Sequence, residues 1–136
     1  MQRGDWTFHA VTDGRFKLDG GAMFGVVPRV MWEKHHAADE RNRIDMTLRC
    51  LVARQGGRVI LVDTGIGDRW ADKHRTIYAM ERGPNQLLQE LAALDIFPDD
   101  VTDVILTHLH FDHTGGTVRE QDGALTPVFP KAEHWV

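Results

Sequence analysis

The chain has 136 residues, 42% of them hydrophobic and 26% charged, the size and balance of one small water-soluble domain built on one core. Its formal net charge of -4 gives no basic field for gripping a phosphate backbone, which argues against nucleic-acid binding and for a small-molecule substrate. The only cysteine, Cys50, has no internal disulfide partner, no signal-peptide core follows Met1, and no run approaches the roughly 18 apolar residues of a membrane span, so a cytoplasmic protein without membrane attachment is expected.

Residues 6–12 read as a short strand, and Asp13-Gly14 as the turn of a hairpin into Phe16-Lys17-Leu18. Residues 19–28 form a glycine-punctuated apolar loop, able to lie close to a ligand, that leads to a short helix over 29–34. From Ile44 to Val52 apolar residues recur at every second position, the period of a half-buried strand, and Gly56-Gly57 supplies the next turn. Val59-Ile60-Leu61-Val62 is a continuous aliphatic run, expected to be covered on both faces, and it feeds Asp63-Thr64-Gly65-Ile66-Gly67. Past a polar segment over 68–82, Gly83-Pro84-Asn85 prepares a helix on which Leu87, Leu88, Leu91 and Leu94 share a face, and Pro98 with Asp99-Asp100 stops it. Val104-Ile105-Leu106 reads as another buried strand, with a histidine cluster two residues beyond it. That is the layout of an α/β layer with its site at a strand end. A turn at Gln121-Asp122-Gly123 and short strands over 124–129 and 132–136 follow. A chain that stops on Trp135-Val136 is expected to be a single, incomplete domain over 1–136.

His108-Leu109-His110-Phe111-Asp112-His113 places three imidazoles and a carboxylate within six residues. This dense set of nitrogen and oxygen donors suits zinc or a similar divalent ion. On an extended segment His108 and His110, two apart, point the same way and can share one ion. Asp112 and His113 are neighbours and cannot both follow that alternation, which puts them on a turn facing a second position and favours two adjacent metals. A divalent ion lowers the pKa of its bound water towards about 7, and a second can hold the same hydroxide while polarising the bond under attack. Neutral imidazole leaves the metal's charge uncancelled, and Asp112 is the candidate catalytic residue that orients the water.

Thr107-His108-Leu109-His110-Phe111-Asp112-His113-Thr114-Gly115-Gly116 resembles the hallmark of the metallo-β-lactamase superfamily. Asp63-Thr64-Gly65 after one strand, and residues 104–106 ahead of the motif, stand in the order that family shows. The resemblance spans the chain as the family's N-terminal half. It implies an α/β fold, the N-terminal half of an αββα sandwich, and a metal-dependent hydrolase acting through metal-bound hydroxide, with two zinc ions in the complete protein. His108 and His110 would match ligands of the first ion, Asp112 and His113 those of the second. Asp63 and Thr107 would lie beside them and orient them. In that family the later histidine for each metal and a bridging aspartate come from the C-terminal half, and His134, alone after the motif, is not assigned to a metal. The stretch Gly20 to Gly25 with Pro28 is similar to lactonase-like and esterase-like members, which directs the expected substrate to a small ester or lactone, with Met23, Phe24 and Trp32 as candidate pocket residues. The alternative is a non-catalytic half-domain that binds metal weakly and needs its missing half or a partner, with self-association through its exposed face. His9, His35, His36 and His74 read as surface or packing residues and Cys50 as an inert core thiol.

Overall fold

The computed structural model describes residues 1–136, arranged on one mixed six-stranded sheet with a separate two-stranded hairpin. A two-residue strand β1 (Gln2–Arg3) pairs antiparallel with β2 (Trp6–Asp19), which runs 14 residues without a turn. The hairpin expected at Asp13-Gly14 is therefore absent. Gly14 instead adopts φ 110° inside a register shift between Thr12 and Arg15, a bulge that keeps Asp13 aimed inward beside Val11. Local turn chemistry is overridden here because the Asp13 carboxylate finds buried partners: Arg82 reaches it at 2.6 Å, and both side chains are only 1% exposed.

The expected loop over 19–28 begins as a helix, α1 (Gly20–Phe24), because the Asp19 carboxylate accepts from the Ala22 amide at 2.8 Å and caps it. A single turn, α2 (Arg29–Trp32), follows. β3 (Arg43–Gln55) pairs antiparallel with β2 and then, across the Gly56-Gly57 turn, with β4 (Arg58–Val62). In β4 Val59 and Leu61 are buried while Ile60 and Val62 are half-buried, so the aliphatic run is fully covered on one face only. The polar segment holds α3 (Asp72–Ile77).

α4 (Gln86–Ala92) buries Leu87 and Leu91 against the sheet, with Leu88 and Leu94 packed at the edge of the contact. A 3-10 turn at Pro98–Asp100 leads to β5 (Asp103–Ile105), parallel to β4. Val104 of β5 is buried and Ile105 is 37% exposed, so this strand too has one covered face. Beyond it lie α5 (Phe111–Thr114), the hairpin β6 (Val118–Gln121) with β7 (Ala124–Pro127), and β8 (Glu133–Trp135), parallel to β5 at the sheet edge.

The main core gathers Val11, Cys50, Val52, Leu61 and Val104 from the sheet under Leu87, Leu91 and Ile96, and is closed by Val128 and Phe129. A smaller cluster of Phe16, Leu48 and Ile66 packs with Trp70, Tyr78 and Phe111. The sheet order β1-β2-β3-β4-β5-β8 sets the carboxyl ends of the parallel strands β4 and β5 side by side, so Asp63 and Thr107 emerge next to each other. No helix is long and apolar enough to cross a membrane.

Candidate metal centre

Asp63 leaves β4 in the left-handed region, φ 60°, and turns its carboxylate across to the end of β5. There Oδ1 accepts from the Thr107 amide at 2.9 Å, and the Thr107 hydroxyl lies 3.0 Å from both carboxylate oxygens. His113 Nδ1 approaches Oδ2 at 2.8 Å. Burial by itself pushes the Asp63 carboxyl up, but the Thr107 amide and hydroxyl and the His113 ring outweigh it and hold the group below its ordinary range.

The turn after Asp63 also grips the histidine segment through its backbone. The Thr64 amide and hydroxyl both donate to the His113 carbonyl, at 2.8 and 3.0 Å, and the Gly115 amide donates to the Gly65 carbonyl at 2.9 Å. Gly67, at φ 66°, and Gly115 are pressed together so closely that a Cβ on either would strike the opposite main chain. On the other side, Phe111 is held by edge-on contacts to Phe16 and Trp70, with ring centroids at 6.1 and 5.5 Å. Asp112 and His113 accordingly sit on the single turn of α5, as their adjacency requires.

Two donor pairs result. His108 Nε2 and His110 Nδ1 face each other at 3.0 Å, while His113 Nε2 and Asp112 Oδ2 lie 3.4 Å apart. Two ligands on a tetrahedral zinc ion, each bonded at about 2.0 Å, are separated by about 3.3 Å, so either pair fits the edge of one coordination sphere. The pairs are adjacent, with the His108 and His113 ring centroids 4.1 Å apart. No set of three or more His, Cys, Asp or Glu side chains converges on one point, so each pair stands as two donors. The rings are held from behind: Thr107 Oγ1 is 3.1 Å from His108 Nδ1, and Asp63 takes His113 Nδ1, which leaves an Nε2 outward on each ring.

The candidate pocket residues make contacts of their own. Phe24 stacks on Trp32 at 4.9 Å and meets His36 at a tilt, with centroids 5.4 Å apart; Trp32 is buried against Gly20, and Met23 is 44% exposed. A cavity of about 350 Å³ is lined by Thr64, Gly67, Gly116 and Val128, among others, and by none of those three residues. His134 is on the exposed strand β8, its Nδ1 3.1 Å from the Ala132 carbonyl. The Cys50 thiol is pushed up to about 12, first by burial and then by the negative charges of Asp13 and Asp63, and is inert at neutral pH. The sequence marks Thr64 only as a member of Asp63-Thr64-Gly65, with no role of its own, and Asp13 only as a hairpin residue. Asp13 shares its face of β2 with the buried Val11, but Thr7 and His9 at the same phase leave no apolar pattern there to signal it.

A family model described as the metallo-beta-lactamase superfamily matches residues 49–128. Among solved structures, a probable metal-dependent hydrolase from Staphylococcus aureus is 33% identical, with a TM-score of 0.89 over 98% of this chain and 47% of that one. AidC, a dizinc quorum-quenching lactonase in complex with a product, is 28% identical, with a TM-score of 0.71 over 98% and 42%. The hydrolase AbOPH of the beta lactamase superfamily is 25% identical, with a TM-score of 0.72 over the same shares. The chain spans less than half the length of each of these structures. No curated protein matches it.

Proposed function

Because the chain belongs to the metallo-β-lactamase superfamily, we propose that it supplies the metal-holding platform of a di-zinc hydrolase acting on a small ester or lactone. The observation that carries this reading is the pair of adjacent two-donor sets, 3.0 and 3.4 Å across, at the carboxyl ends of parallel strands. His108 and His110 would hold one ion, Asp112 and His113 the other. Zinc bound there would lower the pKa of water towards about 7 and polarise the carbonyl under attack.

The chain's own residues do the orienting. Asp63 fixes the His113 ring by its Nδ1 side, so that the Nε2 lone pair faces outward, and Thr107 ties that carboxylate to His108. Asp112, with one oxygen beside His113 Nε2, is placed to accept a proton from the attacking water. Two donors per ion leave open positions, and in this reading the complete enzyme supplies further ligands there. The ester or lactone class is supported by AidC, a lactonase that shares the fold over nearly the whole of this chain.

The test is hydrolysis of a lactone and an aryl ester by the full-length protein, before and after a chelator and after zinc is returned. Turnover lost to the chelator and restored by zinc is expected. Turnover that survives the chelator contradicts the metal role, and a zinc-loaded protein inert to both substrates contradicts the substrate class.

A further inference from the structure

The buried carboxylate of Asp13 lies far from the histidines in sequence, and the chemistry proposed above does not use it. It carries a full set of donors: Oδ2 accepts from the amides of Ile66 at 2.8 Å and Gly67 at 3.0 Å, and Oδ1 from Arg82 Nη2 at 2.6 Å and the Leu87 amide at 3.2 Å. A carboxylate offers about four lone-pair positions, and all are taken. Arg82 is itself locked, donating from Nε to the Asp13 carbonyl at 3.0 Å and pairing with Asp68. A buried ion pair adds little stability over an apolar pair of the same volume, so what this arrangement secures is geometry. The β2 bulge, placed at Gly14, is the kind of device that re-aims a side chain next to a site.

The two amides that Oδ2 holds belong to the turn that grips the ligand segment. Thr64 and Gly65 bond the main chain of His113 and Gly115, and Gly67 meets Gly115 backbone to backbone. Apart from the Thr64 hydroxyl on the His113 carbonyl, these contacts are main chain to main chain, so a displacement at Ile66 and Gly67 is passed on to His113. We infer that Asp13 is a positioning residue of the metal platform: anchored by Arg82 and the start of α4, it sets the Ile66–Gly67 turn and thereby where His113 presents Nε2. The inference rests on the proposed role of His113.

Asp13→Asn keeps the volume but turns one acceptor oxygen into an amide NH2, a donor that faces other donors. In the metal-free protein, the variant is expected to fold, to exchange the Thr64 and Gly115 amides ~10-fold faster relative to the ladder amides of β3 and β4, and to shift or broaden the His113 ring resonances. Its zinc affinity should fall about 10- to 100-fold. Ile96→Val, a mild core change, should leave the His113 ring resonances in place. Native exchange and native ring resonances in Asp13→Asn overturn the inference, as does the same response in Ile96→Val. Failure of His113 as a metal ligand would show separately, as zinc leaving the wild-type ring resonances unmoved. If Asp13→Asn does not fold, Arg82→Lys, which keeps the charge and loses the fork, is read by the same two outcomes.

Discussion

At the scale of single residues, Asp63 gathers more of the site than any histidine does: the Thr107 amide, the Thr107 hydroxyl and the His113 ring all meet on its carboxylate. Replacing it by Asn removes one acceptor oxygen while keeping the shape. Asp63→Asn is expected to weaken zinc binding about 10- to 100-fold, read by competition with a chromophoric chelator, and an unchanged affinity would speak against its orienting role. The histidines, Asp112 and Asp63 stand out in the sequence as candidates because the donors are dense and sit immediately after apolar runs. Asp13, Arg82 and Thr64 do not, because their partners lie far along the chain: Asp13 and Arg82 are 69 residues apart, Thr64 and His113 are 49 apart. No local pattern encodes such pairings, and Asp13-Gly14 carried a stronger local signal for a turn.

Elements show the same division between local and distant causes. Alternation foretold β3 and the leucine spacing foretold α4, since both patterns express which face is buried. The continuous aliphatic run of β4 suggested two covered faces, yet coverage depends on what packs on the far side of the sheet, which composition does not report. Contact between the turn after β4 and the segment after α5 is made of main chain. Gly115→Ala, whose Cβ would strike the Ile66 carbonyl, is therefore expected to lower stability by roughly 1–3 kcal/mol and to weaken zinc binding with it, measured by urea unfolding and metal competition.

The sheet edge offers a test by pH. Arg58 of β4 forks onto Asp103 of β5 at 2.9 and 3.0 Å, and Trp135 of β8 donates to the same carboxylate at 3.3 Å, so one group ties three strands. The Arg58 fork, helped by the Thr102 hydroxyl, holds Asp103 well below the usual carboxylate range. With its folded pKa below the unfolded value of about 4, charged Asp103 stabilises the protein above about pH 4, and this contribution is lost as pH falls through the depressed pKa. Urea midpoints should fall more steeply with acid in the wild type than in Asp103→Asn. Parallel slopes would contradict the assignment.

On the scale of the whole molecule, the fold class followed from the motif and from the order strand, helix, strand, ligands; the structure adds how the parallel pair β4 and β5 brings two loops, 44 residues apart at Asp63 and Thr107, to one point. Core and site are separable in this architecture, because the main core lies under α4 while the donor pairs stand beyond the strand ends. Ile96→Val should cost about 0.5–1.5 kcal/mol in thermal or urea unfolding and leave zinc affinity unchanged. The central claim is that the histidine motif divides into two half-sites, one ion to each. Equilibrium dialysis with metal analysis of the full-length protein tests it most directly, comparing the wild type with His108→Ala/His110→Ala and with Asp112→Ala/His113→Ala. The account predicts two zinc ions per chain in the wild type and one in each double variant; two ions retained in both variants would contradict it.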